Sequence, residues 1–314
     1  MPLPSCLSKA LKSARFTAKW LRSELPYAPG LELYARHIDR HNRHLTAQMM
    51  FNAPEATPAY YAPYRGRAIP KIIWMYWAQG IEAAPPVVQR CIAQWRAMNP
   101  GWDLRVLTRE TVGEWVDLSD IDDSLAFRLH ANALRLRLLA RYGGLWADVT
   151  TYCHRPLDEW MPLLGGQTGF FTFGGPYHDR WVDNWFIAAH PENPLIQRWC
   201  ADYDAYVTRL RHTPRKYFMM IYTFQWAMIR NAKLRHAFRA AGSLPAVPAY
   251  YLMAALEGNA TLDPFLAAQE CGFPVSKLSH RSSLDPQGLV DRLEALLAEA
   301  QPVLAAPRSA LPAQ

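Results

Sequence analysis

Residues 130–150 describe a helix that must stop, turn and pass the chain into a buried strand. From His130 to Arg141 apolar side chains recur at helical spacing, Leu134, Leu138 and Tyr142 on one line and Leu136 and Leu139 beside it. Gly143 and Gly144 follow, residues that take positive φ without steric penalty and therefore end helices. Leu145, Trp146 and Ala147 then run as an apolar strand that delivers Asp148 at its exit. In an open α/β sheet ligands gather at the carboxyl ends of strands, so this order predicts an α/β fold with Asp148 placed to meet a ligand. A carboxylate at a strand exit should also be removable without loss of the fold.

Two readings of Asp148 stand side by side. It can hold a hard divalent cation that neutralises negative charge on a ligand. It can equally cap the next turn, as a single Asp after a strand commonly does.

The surrounding pattern supports the same fold class. Ile69 to Gly80 reads as a first sheet strand, and a helix follows with Val87, Val88, Cys91, Ile92 and Trp95 on its apolar face. Asn99-Pro100-Gly101 turns the chain into a short strand, Trp102 to Leu107, and Trp181 to Ile187 reads as a later one. With 314 residues, half of them hydrophobic, the chain can bury a large core. The expected division is a helical N-terminal extension (1–66), a catalytic domain (67–283) and a C-terminal segment (284–314). That last segment carries a helix from Leu289 to Ala298 and a Pro- and Ala-rich tail, Pro302 to Gln314, expected to be disordered.

Composition removes several classes. The five cysteines, Cys6, Cys91, Cys153, Cys200 and Cys271, are scattered without a Cys-x-x-Cys pair, which argues for a reducing cytosol and against structural zinc. No apolar run approaches the roughly 18 residues of a membrane span, and the first residues lack the apolar core of a signal peptide. The expected location is therefore cytoplasmic. The net charge of +7 concentrates in Lys9, Lys12, Arg15, Lys19 and Arg22, one basic stripe beside the apolar line Leu7, Leu11, Ala14, Ala18 and Leu21. Such a helix suits peripheral attachment to an anionic inner-membrane face, or packs on the domain with a solvated charged side. No nucleic-acid-binding module is visible, so nucleic acid is not an expected partner.

Five ordered blocks carry a resemblance. They are Ile69-Pro70-Lys71-Ile72-Ile73-Trp74-Met75-Tyr76-Trp77; Gln94-Trp95 to Asn99-Pro100-Gly101-Trp102; Ala131 to Arg135 with Tyr142 to Thr150 and Arg155-Pro156-Leu157; Asn184-Trp185-Phe186-Ile187 with Asn193-Pro194-Leu195; and Pro274 to Leu278. Together they span about residues 67–281 and resemble the capsular polysaccharide synthesis proteins, relatives of glycosyltransferases with a DXD sugar-binding motif. The resemblance implies a GT-A type, Rossmann-like nucleotide-sugar fold and transfer with retention of configuration.

Residue by residue, it implies that Trp77 stacks on the nucleotide base and that Arg135 reaches the donor sugar and diphosphate; periodicity alone does not choose among Arg135, Arg137 and Arg141. Asn132, Trp146 and Lys277 join the donor-binding set. Asp148, with His280, would hold Mn2+ or Mg2+, and Asn184 would face the anomeric carbon in preference to its neighbour Asp183, since strand alternation sends the two to opposite faces. Two departures stand out. Ala131-Asn132 replaces the Ser-Asp or Ala-Asp common in relatives, and Asp148 is followed by Val149-Thr150 where a second carboxylate is common, which weakens metal affinity.

The expectation is a metal-assisted, retaining glycosyltransferase that moves a sugar, a uridine diphosphate sugar by preference, to a surface polysaccharide or lipid-linked glycan. The alternative is a membrane-peripheral, catalytically inactive sugar-nucleotide-binding protein of polysaccharide assembly, which the loss of two carboxylates would favour.

Overall fold

The computed structural model describes residues 68–305 except Gln167, His178 and Asp179, so the basic stripe of the first 24 residues lies outside the described residues. A five-stranded mixed sheet forms the centre, flanked by helices on both faces, as expected of an α/β chain. In chain order the elements are β1 (Ile72–Tyr76), α1 (Pro86–Met98), β2 (Asp103–Leu107), α2 (Phe127–Tyr142), β3 (Gly144–Ala147), β4 (Thr151–Cys153), α3 (Leu157–Leu164), β5 (Phe170–Tyr177) and β6 (Arg180–Ala189). Then come α4 (Pro194–Val207), α5 (Met219–Arg230), α6 (Ala232–Ala240), α7 (Tyr251–Leu256), α8 (Asp263–Glu270), β7 (Val275–Lys277) and α9 (Pro286–Ala305).

The sheet order is β2-β1-β3-β6-β5, with β2, β1 and β3 parallel and β6 antiparallel to both β3 and β5. Side chains alternate across it. Trp74 and Trp146 enter a core built with α2, α4 and α5, while Ile73, Met75, Leu145 and Ala147 enter a second core built with α1, α3 and α9. A separate ladder pairs β4 with β7 antiparallel, setting Thr151 opposite Lys277.

The helix-to-strand corner is where backbone conformation and close packing meet. Gly143 and Gly144 have φ of 67° and 91°. A Cβ on Gly144 would lie 2.6 Å from the Ile72 carbonyl oxygen, so β3 can pair beside β1 only with glycine there. Trp74 secures the corner by donating its indole N–H to the Gly143 carbonyl at 2.9 Å.

Three elements have boundaries that differ from the sequence expectation by more than two residues. β1 ends at Tyr76, short of Gly80: Trp77 N–H still donates to the Leu107 carbonyl at 3.0 Å, but Gly80 then closes a turn onto Trp77. Trp77 therefore stands just past the strand. α2 begins at Phe127, a turn earlier than the apolar spacing suggested. α9 runs through Pro302 to Ala305 where a tail was expected, because Leu289, Leu293, Leu296 and Ala300 repeat at helical spacing and are buried in the α1 side of the core. Residues past 305 are outside the described residues.

Candidate active site

Asp148 lies one residue beyond β3, two positions from Trp146, and so faces the same side of the sheet as that indole. Its backbone is fixed on both sides: its N–H donates to the Trp185 carbonyl at 2.8 Å, and its carbonyl accepts from the Thr151 N–H at 2.9 Å and hydroxyl at 2.7 Å. The turn-forming role open to an Asp after a strand is thus taken by its backbone. The carboxylate is left for other work.

That work begins with Arg135. Its Nη2 donates to Asp148 Oδ1 at 3.0 Å, and the Trp146 indole N–H donates to the same oxygen at 3.0 Å. Arg135 Nη1 donates to Asn132 Oδ1 at 3.0 Å, one helical turn back on α2. Asn184 on β6 closes the group from across the sheet, its amide donating to the same Asn132 oxygen at 3.4 Å. Asp148, Arg135, Asn132 and Asn184 are therefore brought together from three separate elements.

Charge and burial set the character of this cluster. The Arg135 side chain is only 7% exposed and that of Asp148 29%. Burial pushes the Arg135 guanidinium below its usual pKa, with Asp148 opposing the shift. Its Nε is buried and has no hydrogen-bond partner. A buried unpartnered donor is costly, and a charged one more so, so this atom is a natural place for an incoming anion to bind.

Trp146, expected to bind donor, is 2% exposed and lies beneath the Arg135 guanidinium, 4.8 Å from it. Its indole holds Asp148 by the hydrogen bond and backs the Arg135 guanidinium from beneath. Asp183 and Asn184 divide as alternation requires. Asp183 is buried, accepts the Tyr250 hydroxyl at 2.6 Å, and is held above the usual carboxylate range by burial. Tyr250 in turn accepts the Trp185 indole N–H at 3.0 Å, so Asp183 anchors the β6 segment from behind.

Trp77 and His280 meet edge to face, ring centroids 5.2 Å apart. The Trp77 indole N–H is buried and unpartnered. Lys277 reaches the cluster from the other side: its ammonium donates to the Thr150 hydroxyl at 2.5 Å and stands 3.8 Å from Asp148 Oδ2.

This donor set does not fit Mn2+ or Mg2+. Both oxygens of Asp148 already face cations, Arg135 on one side and Lys277 on the other. His280, the second expected ligand, stands in the positive field of Arg281 and Lys277, which opposes a further cation beside it. Among the described residues no group of three or more His, Cys, Asp or Glu side chains gathers to hold a metal. A hard divalent ion wants several anionic or carbonyl oxygens with no competing cation, and this cluster supplies the reverse.

Some contributors gave no signal in the sequence. Met220 on α5 touches both Arg135 and Asn184 through sulfur, at 3.6 and 3.7 Å, from 85 and 36 residues away. Thr150 was visible only as the position of a missing carboxylate.

The family model for capsular polysaccharide synthesis proteins matches residues 56–287, and the chain belongs to that family. It is 29% identical over 150 residues to the O-glycosyltransferase braB of Annulohypoxylon truncatum, covering 41% of this chain and 36% of that protein. It is 24% identical over 196 residues to the putative glycosyltransferase HOC1 of Saccharomyces cerevisiae, covering 53% of this chain and 49% of that one. The chain thus spans between about a third and a half of the length of these relatives. Among solved structures, the PaToxG glycosyltransferase aligns over 88% of this chain and 96% of its own, at 13% identity and a TM-score of 0.30. No residue is carried over from so loose a superposition.

Proposed function

We propose that this chain is a retaining glycosyltransferase of the GT-A type that moves a sugar from a nucleotide-sugar donor, a uridine diphosphate sugar by preference, to a surface polysaccharide or lipid-linked glycan. The observation that carries this reading is the buried Arg135 with its unpartnered Nε, held by Asp148 and Asn132 at the carboxyl edge of the sheet in a member of this family. The glycosyltransferase names of its relatives support it.

Arg135 would bind the diphosphate, its planar fork being suited to phosphate oxygens. Asn132 and Asn184 would hydrogen-bond the sugar, and Trp77 would stack on the base. Neither nearby carboxylate is free to act as nucleophile: Asp148 is bound by Arg135 and Trp146, and Asp183 by Tyr250. Retention is therefore read as front-face attack. The bond from the anomeric carbon to the phosphate oxygen breaks, the acceptor oxygen bonds to the same face, and its proton passes to the leaving phosphate.

A screen of nucleotide sugars by thermal shift tests the reading, since a ligand of the folded state raises the melting temperature. At least one nucleotide sugar should do so and then be turned over. Stabilisation without hydrolysis or transfer would favour the inactive binding protein. Membrane recruitment through the first 24 residues is proposed from their sequence alone. Among the described residues no helix is long and apolar enough to cross a membrane. Deleting 1–24 should release the protein from anionic liposomes while transfer to a soluble acceptor persists.

A further inference from the structure

The β4–β7 ladder does more than extend the core. By pairing Lys277 with Thr151 it brings an ammonium to the turn that follows Asp148. Leu278 N–H donates to the Thr150 carbonyl at 2.7 Å and continues the alignment by one residue. The Lys277 ammonium has three N–H donors. One goes to the Thr150 hydroxyl at 2.5 Å and one to the Leu278 carbonyl at 3.1 Å. The third is left for a ligand, with Asp148 Oδ2 at 3.8 Å supplying charge attraction beyond hydrogen-bond range.

The Asp148 carboxylate, the Thr150 hydroxyl two residues on and the Leu278 main-chain carbonyl all face the Lys277 ammonium. Here the cation is part of the protein. Arg135 lies against Asp148 Oδ1 and Lys277 faces Oδ2, so the single carboxylate orients two positive groups toward the same strand exit.

On the reading of the chain as a nucleotide-sugar transferase, we propose that Lys277 is the resident counter-charge for the diphosphate leaving group, so that donor binding and transfer need no divalent metal. When the sugar–phosphate bond breaks, the charge that grows on the phosphate oxygen is met by the ammonium N–H and by Arg135. Thr150 and Asp148 are the groups that hold Lys277 in place.

The test is calorimetric titration of the full chain with UDP, GDP, dTDP and ADP, each in EDTA and in MnCl2. At least one should bind in EDTA with an affinity within threefold of that in manganese. Lys277→Met should weaken that nucleoside diphosphate at least tenfold in EDTA while leaving the parent nucleoside unaffected, and Lys277→Arg should restore most of the loss. Wild-type binding that needs manganese by tenfold or more overturns the proposal, as does a folded Lys277→Met that binds like wild type. If that variant does not fold, the comparison of EDTA with manganese on the wild-type chain still decides. If none of the four nucleotides binds in either buffer, the transferase reading itself falls, which is a different failure from metal dependence.

Discussion

Arg135 and Arg137 leave α2 two residues apart and meet different surroundings. Arg137 turns outward, where Nη1 and Nη2 grip both oxygens of Asp120 at 2.8 and 2.7 Å, Nη1 also reaches the Asp117 carbonyl, and Nε donates to Asp204 at 3.0 Å. These partners raise its pKa above the usual arginine value against the opposing effect of burial. Arg135 turns inward, is more deeply buried, shares its one hydrogen-bonded carboxylate with Trp146, and keeps Nε unpartnered. The difference bears on the proposed roles: the guanidinium whose donors are matched holds segments together, and the incomplete one is the one proposed to take the diphosphate.

The largest effect is expected from Asp148→Ala. Transfer should be abolished, and stability should also drop, because Arg135 is left as a buried charge without its carboxylate. Removing one member of a fully buried pair costs roughly 3–5 kcal/mol, and the partial exposure of Asp148 puts the expected loss somewhat under that. The sequence expectation is that the fold survives loss of this strand-exit carboxylate; its buried arginine partner is the reason to expect that fold at reduced stability. Urea unfolding checks it, and an unchanged midpoint would show that Arg135 finds another partner.

Next comes the direct contrast. Arg135→Lys retains charge but loses the fork, so nucleotide-sugar affinity should drop by tenfold or more, about 1.4 kcal/mol. Arg137→Lys should leave donor affinity within twofold and lower stability by about 1 kcal/mol, the upper range for exposed ion pairs. Equal losses of affinity in the two variants would collapse the distinction. A finer version uses Asp204→Asn. Arg137 keeps its bidentate hold on Asp120, so the loss should be smaller again and confined to stability.

How much of this could be read in the sequence follows from the range of each interaction. The helix, the glycine corner, β3 and Asp148 are local, and so is the one-turn spacing of Asn132 and Arg135; the sequence pattern contained all of them. Alternation in β6 separated Asp183 from Asn184, although only the packing of Tyr250 from 67 residues away shows what Asp183 does. The choice of Arg135 over Arg137 came from family resemblance, since both lie on α2 and the carboxylates that distinguish them, Asp148 against Asp120 and Asp204, lie outside that helix. The approach of Lys277 to Thr150 spans 127 residues and depends on β4 pairing with β7, two three-residue strands without a pattern of their own. A Trp beside a strand-exit Asp reads equally well in the sequence as a ligand contact or as support, and its burial beneath Arg135 has no local signal.

The smallest predicted effect extends the comparison to a half-buried polar group just past β4, whose partner Ser276 lies on the same ladder as Lys277. His154 shares a 2.8 Å hydrogen bond with the Ser276 hydroxyl and packs against Tyr152 and Phe265. Burial lowers its pKa from 6.5 to about 3, so the ring is neutral. The unfolded chain takes up this proton near pH 6.5 and the folded chain only near 3. Its contribution to stability is therefore fully present above 6.5 and is lost as pH falls toward 3, at about 1.4 kcal/mol per pH unit in the middle of that window. Unfolding midpoints measured from pH 7 to 4 should show this slope over the background from the carboxylates. In His154→Gln, which retains a hydrogen-bonding side chain without the titration, the slope should flatten by that amount while donor affinity at pH 7 stays unchanged. An identical slope in wild type and variant would mean that His154 is hydrated and titrates normally, and that the β4–β7 ladder is looser than the Lys277 contact requires.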